Sequence, residues 1–199
     1  MVALADFRAA LRGADPLDIV DRFLLAGEVE HVSADKRAAI QRALCESFGS
    51  DPDDVRVIIT GSAKLGFSIV EKARPGKPTL PRYRKFSGQS DIDVAVIAPP
   101  IFTAIWEELA ANAHRAFLFP PAAGRLGDYL VCGWLRPDHF PKGVRLPKCD
   151  AWSDTFRKLS VSGQFTPRTV NGGLFASENH LRNYMARAVN ECVRIEELQ

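Results

Sequence analysis

Ser90-Asp91-Ile92-Asp93-Val94-Ala95-Val96-Ile97 sets two carboxylates at the head of an apolar, β-branched run that is closed by Pro99-Pro100. Such a run reads as a strand. Side chains alternate across a strand, so Asp91 and Asp93 share one face while Ile92, Val94 and Val96 point the other way, toward a core. The two carboxylates are roughly 6–7 Å apart along the strand. Ionised and unpartnered they repel, and a divalent cation resolves that conflict. Magnesium prefers hard oxygen ligands, takes one or two carboxylates, and completes its octahedron with water and phosphate oxygens.

Upstream, Val55-Arg56-Val57-Ile58-Ile59-Thr60 predicts another strand, introduced by the turn cluster Asp51-Pro52-Asp53-Asp54 and ending in Gly61-Ser62. A glycine at the end of a strand lets the backbone approach a ligand closely. The N–H groups of the turn and the Ser62 hydroxyl then suit phosphate oxygens. Lys64 follows the turn and is placed to neutralise a phosphate. Either motif alone is weak, as an ordinary turn or an exposed strand start. Together, in the order strand, Gly-Ser, loop, Ser-Asp-Ile-Asp, strand, they are far more specific. A P-loop is excluded, because G-x-x-x-x-G-K-[ST] is absent.

The rest of the chain is read outward from these strands. Asp15-Pro16 and Ser33 are helix starts, with Gly49 as a stop. Residues 1–50 therefore read as an N-terminal helical segment packed on a core. Residues 51–199 hold that core and its C-terminal helices, in one compact unit. Residues 71–89, rich in Pro, Gly, Lys and Arg, read as a loop. Helices are expected over 101–117, 151–159 and 177–198, with a third strand over Tyr129–Leu135 and an irregular basic loop over 139–150. The class is α/β or α+β, a small sheet covered by helices.

Gly61-Ser62 with Gly66, followed by Ser90-Asp91-Ile92-Asp93-Val94, resembles the DNA polymerase β-like nucleotidyltransferase superfamily over residues 55–98. The resemblance implies a small mixed β-sheet, a triphosphate held at Gly61, Ser62 and Ser90, and magnesium (or manganese) ligated by Asp91 and Asp93. It implies transfer of a nucleoside monophosphate from a nucleoside triphosphate to an acceptor hydroxyl. That acceptor is an oligonucleotide, a nucleic-acid end, a protein or a small molecule. Stand-alone relatives of this size suggest, by analogy, bacterial defence. The family usually adds a third carboxylate from a later strand. The candidate strand 129–135 contains none. Asp128 lies at its start and Asp138 just past its end, Asp150 and Asp154 are more remote, and Asp138 is the chosen candidate. Without a third acid, the chain would be a degenerate nucleotidyltransferase that serves as a nucleotide- or nucleic-acid-binding subunit.

Lys72, Arg74, Lys77, Arg82, Arg84 and Lys85, interleaved with Tyr83 and Phe86, suit phosphate contact and base stacking. Arg136, His139, Lys142, Arg145 and Lys148 form a second basic region. His31, His114 and His180 read as ordinary surface or core residues. The four cysteines fit neither a zinc signature nor a disulfide framework. Of 199 residues, 46% are hydrophobic and the net charge is +2, which neither requires nor excludes a nucleic-acid partner. The amino-terminal segment is too polar for a secretory core, and no apolar run reaches the ~18–20 residues of a membrane span, so a cytoplasmic protein without a membrane partner is expected. Oligomeric state is not encoded in any motif.

Overall fold

The computed structural model describes residues 2–27, 29, 31–112, 120–140 and 144–198. Its fold is mixed α+β. A four-stranded sheet is built from β1 (Arg56–Thr60), β4 (Ile92–Ile97), β6 (Val170–Phe175) and the short β5 (Trp134–Leu135), in the order β1-β4-β6-β5. β4 is antiparallel to β1 and parallel to β6, and β5 is antiparallel to β6. A separate hairpin pairs β2 (Lys72–Arg74) with β3 (Lys77–Leu80).

Helices cover both faces of the sheet, and the alternation in β4 sorts them. Ile92, Val94 and Val96 are buried with Ile40 and Leu44 of α3 (Ala34–Phe48), Ile101 and Ile105 of α5 (Pro99–Ala111), and Trp152 and Phe156 of α7 (Pro147–Val161). Ala95 and Ile97 face the opposite layer. There they meet Phe7 of α1 (Leu4–Ala10), Ile19 of α2 (Pro16–Ile19), and Leu181, Met185 and Val189 of α8 (Glu178–Glu197). A sheet buried on both faces is the three-layer solution to hiding its apolar surface.

Local chemistry sets the helix ends. Asp15 accepts from the Leu17 N–H at 2.7 Å with Pro16 at the first helical position, and α2 runs on into a π-helical turn, Val20–Leu25. Ser33 accepts from the Lys36 N–H at 3.3 Å, and Ser177 from the His180 N–H at 3.4 Å. Ion pairs tie α8 to the amino-terminal helices. Arg182 grips Asp21 through Nε–Oδ1 at 2.7 Å and Nη2–Oδ2 at 2.5 Å. Arg8 grips Glu196 through Nε–Oε1 at 2.5 Å and Nη2–Oε2 at 3.1 Å. No described helix is long and apolar enough to cross a membrane.

Four expectations about elements need correction. Tyr129–Leu135 is not a strand. Tyr129 to Val131 close α6 (Pro120–Val131), and only Trp134 and Leu135 join the sheet. Leu126, Tyr129 and Leu130 have the i, i+3, i+4 spacing of a helix, and Val131 is 87% exposed, unlike a core strand residue. Residues 71–89 are not all loop, because Pro75-Gly76 turns the chain into the β2–β3 hairpin. Helix α7 starts four residues before Ala151, with Pro147 in its first turn. The fourth difference is β6, for which no strand was expected. Its sequence, Val-Asn-Gly-Gly-Leu-Phe, carries a turn signal in its middle. The glycines answer to packing instead. A Cβ on Gly172 would stand 2.1 Å from Phe156 Cζ, and one on Gly173 would stand 2.9 Å from Trp134 Nε1. Large rings lie directly on this strand, so it has no room for side chains there.

Candidate functional site

Strand register builds the site around Asp93. Across the antiparallel pair its neighbour is Thr60, the last residue of β1, and across the parallel pair it is Asn171 of β6. The Thr60 hydroxyl donates to the Asp93 carbonyl at 3.2 Å. The chain leaves β1 at Gly61 with φ +61 and turns at once into the short α4 (Gly61–Leu65). A Cβ at Gly61 would lie 3.0 Å from Asp93 Oδ2. Glycine is thus required twice here, for the left-handed backbone and for close approach to the carboxylate.

Asp91 immediately precedes β4, and Ile92, between it and Asp93, is buried in the core. Lys72 Nζ lies 4.0 Å from Asp91 Oδ2. Asp93 opens onto a cleft of about 440 Å³ that is also lined by Thr60, Gly61, Asn171, Arg136 and Tyr184. Asp91 is not part of the lining. The protein walls around Asp93 push its carboxyl above the ordinary range, and the charge of Asp91 pushes the same way. A hydrogen bond from Asn171 and the charges of Arg136 and Lys72 act against that shift without cancelling it. A cation between the two acids would relieve this strain. Two carboxylates, with water and substrate oxygens to complete the shell, are a donor set that fits magnesium. Among the described residues no three His, Cys, Asp or Glu side chains gather into a metal-binding group.

The other expected site residues are placed as follows. Ser62 is half-buried in the first turn of α4. Lys64 is buried, and its ammonium donates to the carbonyls of Ala26 at 2.6 Å and Gly27 at 2.8 Å. It fastens α4 to the end of the π-helical turn and does not line the cleft. Burial, and Arg37 to a lesser degree, lowers its pKa. Ser90 closes a turn with Ser87. Its hydroxyl accepts from the Ser87 N–H at 3.0 Å, and its carbonyl accepts from Arg168 at 3.0 Å.

Among the described residues, Asp138 is not gathered with the two acids into a metal-binding group. It lies in the short turn Pro137–His139 and holds Arg136 through Nε–Oδ1 at 2.9 Å and Nη2–Oδ2 at 2.6 Å. Burial works to raise its carboxyl, but the hydrogen bonds and charge of Arg136, with help from His139, hold it below the ordinary range. It lines a second, smaller depression of about 290 Å³ with Trp152 and Phe156. Its partner Arg136 lines the Asp93 cleft instead.

Much of the basic segment is structural. Arg82 donates to the Ile69 carbonyl and pairs with Glu191 at 3.4 Å. Arg84 donates to the carbonyls of Val70 at 2.8 Å and Pro81 at 3.0 Å. Phe86 stacks on His31 at 4.5 Å and lies under the Arg168 guanidinium at 4.4 Å, so its ring is already engaged. Lys72, Lys77 and Lys85 are exposed. In the second region Lys148 donates to the Ala104 carbonyl at 3.1 Å, and Arg145 is exposed. Lys142 and His114 lie outside the described residues. Cys45, Cys132, Cys149 and Cys192 are free thiols, the last two buried.

Asn171 escaped sequence reading because its strand did. The later strand that flanks β4 is β6, and the side chain it sets beside Asp93 is a neutral amide. Trp134 and Tyr184 were legible only as apolar positions of a strand and a helix. No protein-family model, curated protein or solved structure matches this chain.

Proposed function

We propose that this chain is a nucleotidyltransferase that binds a magnesium nucleoside triphosphate in the Asp93 cleft and moves its nucleoside monophosphate onto an acceptor hydroxyl. The observation that carries the reading is the approach of the Gly61 backbone to the Asp93 carboxylate, where a Cβ would stand 3.0 Å from Oδ2. It joins the Gly-Ser turn to Asp93 in one place, which local sequence alone does not require.

Magnesium bound at Asp91 and Asp93 would supply Lewis-acid charge to the triphosphate oxygens. The chain's own groups do the rest. The turn at Gly61 and Ser62 lets phosphate oxygens approach backbone N–H groups with no side chain in the way. Arg136, oriented by its paired hydrogen bonds to Asp138, presents fixed positive charge to the same cleft. Lys72, exposed beside Asp91, adds mobile positive charge at the entrance. The acceptor hydroxyl forms a bond to the α-phosphorus, the bond to pyrophosphate breaks, and the hydroxyl proton passes to solvent.

The test is incubation with each labelled nucleoside triphosphate, ribo and deoxyribo, with Mg²⁺ or Mn²⁺ and with products sized on a gel. Wild type should give product, and Asp91→Ala and Asp93→Ala should give none while melting as cooperatively as wild type. Full product from both variants would refute the assignment.

A second reading is favoured by Asn171. With a neutral amide at the strand position beside Asp93, the site supports nucleotide binding without turnover, and the chain acts as a nucleotide- or nucleic-acid-binding subunit. A triphosphate that raises the melting temperature with no product in any assay would select this reading over the first.

A further inference from the structure

The Asp93 cleft has an aromatic side that phosphate chemistry does not use. Trp134 of β5 lies across Gly173, which leaves space for its indole. Three rings hold it there: Tyr129 at 4.4 Å between centroids, Tyr184 at 4.6 Å, and Phe175 at 6.3 Å. Phe175 also braces Tyr184 edge-on at 5.4 Å. Despite this packing, Tyr184 remains 38% exposed. It lines the same cleft as Gly61, Asp93 and Arg136, and its phenol senses the charges of both Arg136 and Asp93. Arg187 and Glu191, further along α8, are polar side chains on that wall.

A ring that serves only as core packing has no need to keep more than a third of its surface exposed beside a charged cleft. A ring already immobilised by neighbours gives up little rotamer freedom when another flat group stacks on it. The cleft volume of about 440 Å³ falls within the ~300–1,000 Å³ common for small-molecule sites.

We propose that Trp134 and Tyr184 form the seat for the nucleobase of the bound nucleotide, which stacks on the exposed part of Tyr184 while its phosphates reach toward Gly61 and Asp93. This rests on the nucleotide reading given above. It makes Tyr184 a base-stacking residue and assigns β5 and the second turn of α8 to base binding.

Calorimetric titration with two probes, MgATP and magnesium tripolyphosphate, separates the base from the phosphates. Wild type should bind MgATP more tightly than tripolyphosphate. Tyr184→Ala should lose roughly 5- to 150-fold in MgATP affinity, the usual range for one base–aromatic stack, with tripolyphosphate binding unchanged. Tyr184→Leu, which keeps apolar volume but has no π-face, should show the same loss, and Tyr184→Phe should stay close to wild type. MgATP binding by Tyr184→Ala or Tyr184→Leu at wild-type affinity would overturn the proposal. So would equal wild-type affinity for the two probes, which leaves the phosphate site intact. Binding of neither probe would remove the nucleotide reading and this inference with it.

Discussion

Replacing Gly172 by Ala tests whether β6, the strand that sets Asn171 beside Asp93, lies where the structure has it. The added Cβ would stand 2.1 Å from Phe156 Cζ, 2.4 Å from Cε2 and 2.7 Å from Cε1. Ordinary carbon–carbon contact begins at about 3.5 Å, so the ring tip must retreat by about 1.4 Å (3.5 minus 2.1). Retreat is obstructed, because Phe156 packs on Trp152 at 4.9 Å and Trp152 packs on Phe48 at 6.3 Å. Gly172 is not among the positive-φ glycines, so no backbone strain enters and the effect is steric. Overpacking of this kind costs about 1–3 kcal/mol, and an overlap this deep belongs in the upper half of that range. The lower chain entropy of Ala in the unfolded state offsets about 0.4–1 kcal/mol. A net loss of roughly 1–2.5 kcal/mol corresponds to a melting temperature lower by roughly 2–10 °C for a chain of this size. Urea unfolding followed by circular dichroism measures it. Phe156→Leu, which shortens the ring, should lose stability alone but recover part of the Gly172→Ala loss in the double variant, with a coupling above ~0.5 kcal/mol. A Gly172→Ala protein as stable as wild type, or strict additivity in the double variant, would show that Phe156 does not lie on β6.

Two other outcomes follow from particular contacts. Gly61→Ala and Gly49→Ala both place a side chain at left-handed φ, +61 and +62, and each should lose about 1–2 kcal/mol on unfolding. Only Gly61→Ala crowds Asp93, so it alone should weaken MgATP binding by calorimetry, and equal affinity in the two variants would exclude contact between that turn and the ligand. Glu196 is almost wholly covered, and the hydrogen bonds of Arg8, followed by its charge, hold the Glu196 carboxyl below the ordinary range. A carboxyl depressed in the folded state contributes stability above its unfolded value, about 4.3, and that contribution is lost as pH falls through the folded value. Glu196→Gln should therefore be less stable than wild type at pH 7. The difference should shrink below about pH 4, as read from urea midpoints across pH, and a difference constant with pH would show that the ion pair carries no linkage.

The amino-acid sequence by itself determined those features whose cause lies within a few residues. Alternation of period two predicted Ile92, Val94 and Val96 on one buried face, and they are buried together while Asp93 between them is exposed. Short-range cap chemistry marked the starts of α2 and α3, where Asp15 and Ser33 accept from N–H groups two and three residues on. Tertiary structure decided what distant chain brings to the same place. Asn171 reaches Asp93 from 78 positions away (171 minus 93) through a parallel pairing whose strand reads locally as a turn, since Gly172 and Gly173 answer to Phe156 and Trp134 rather than to their neighbours in sequence. In the same way Lys64, Arg82 and Arg84 look like free cations in a string of letters, yet packing commits each to backbone carbonyls. Side-chain direction along a strand follows from covalent geometry. The partner that a side chain meets follows from which apolar surfaces are buried together, and that depends on the whole chain at once.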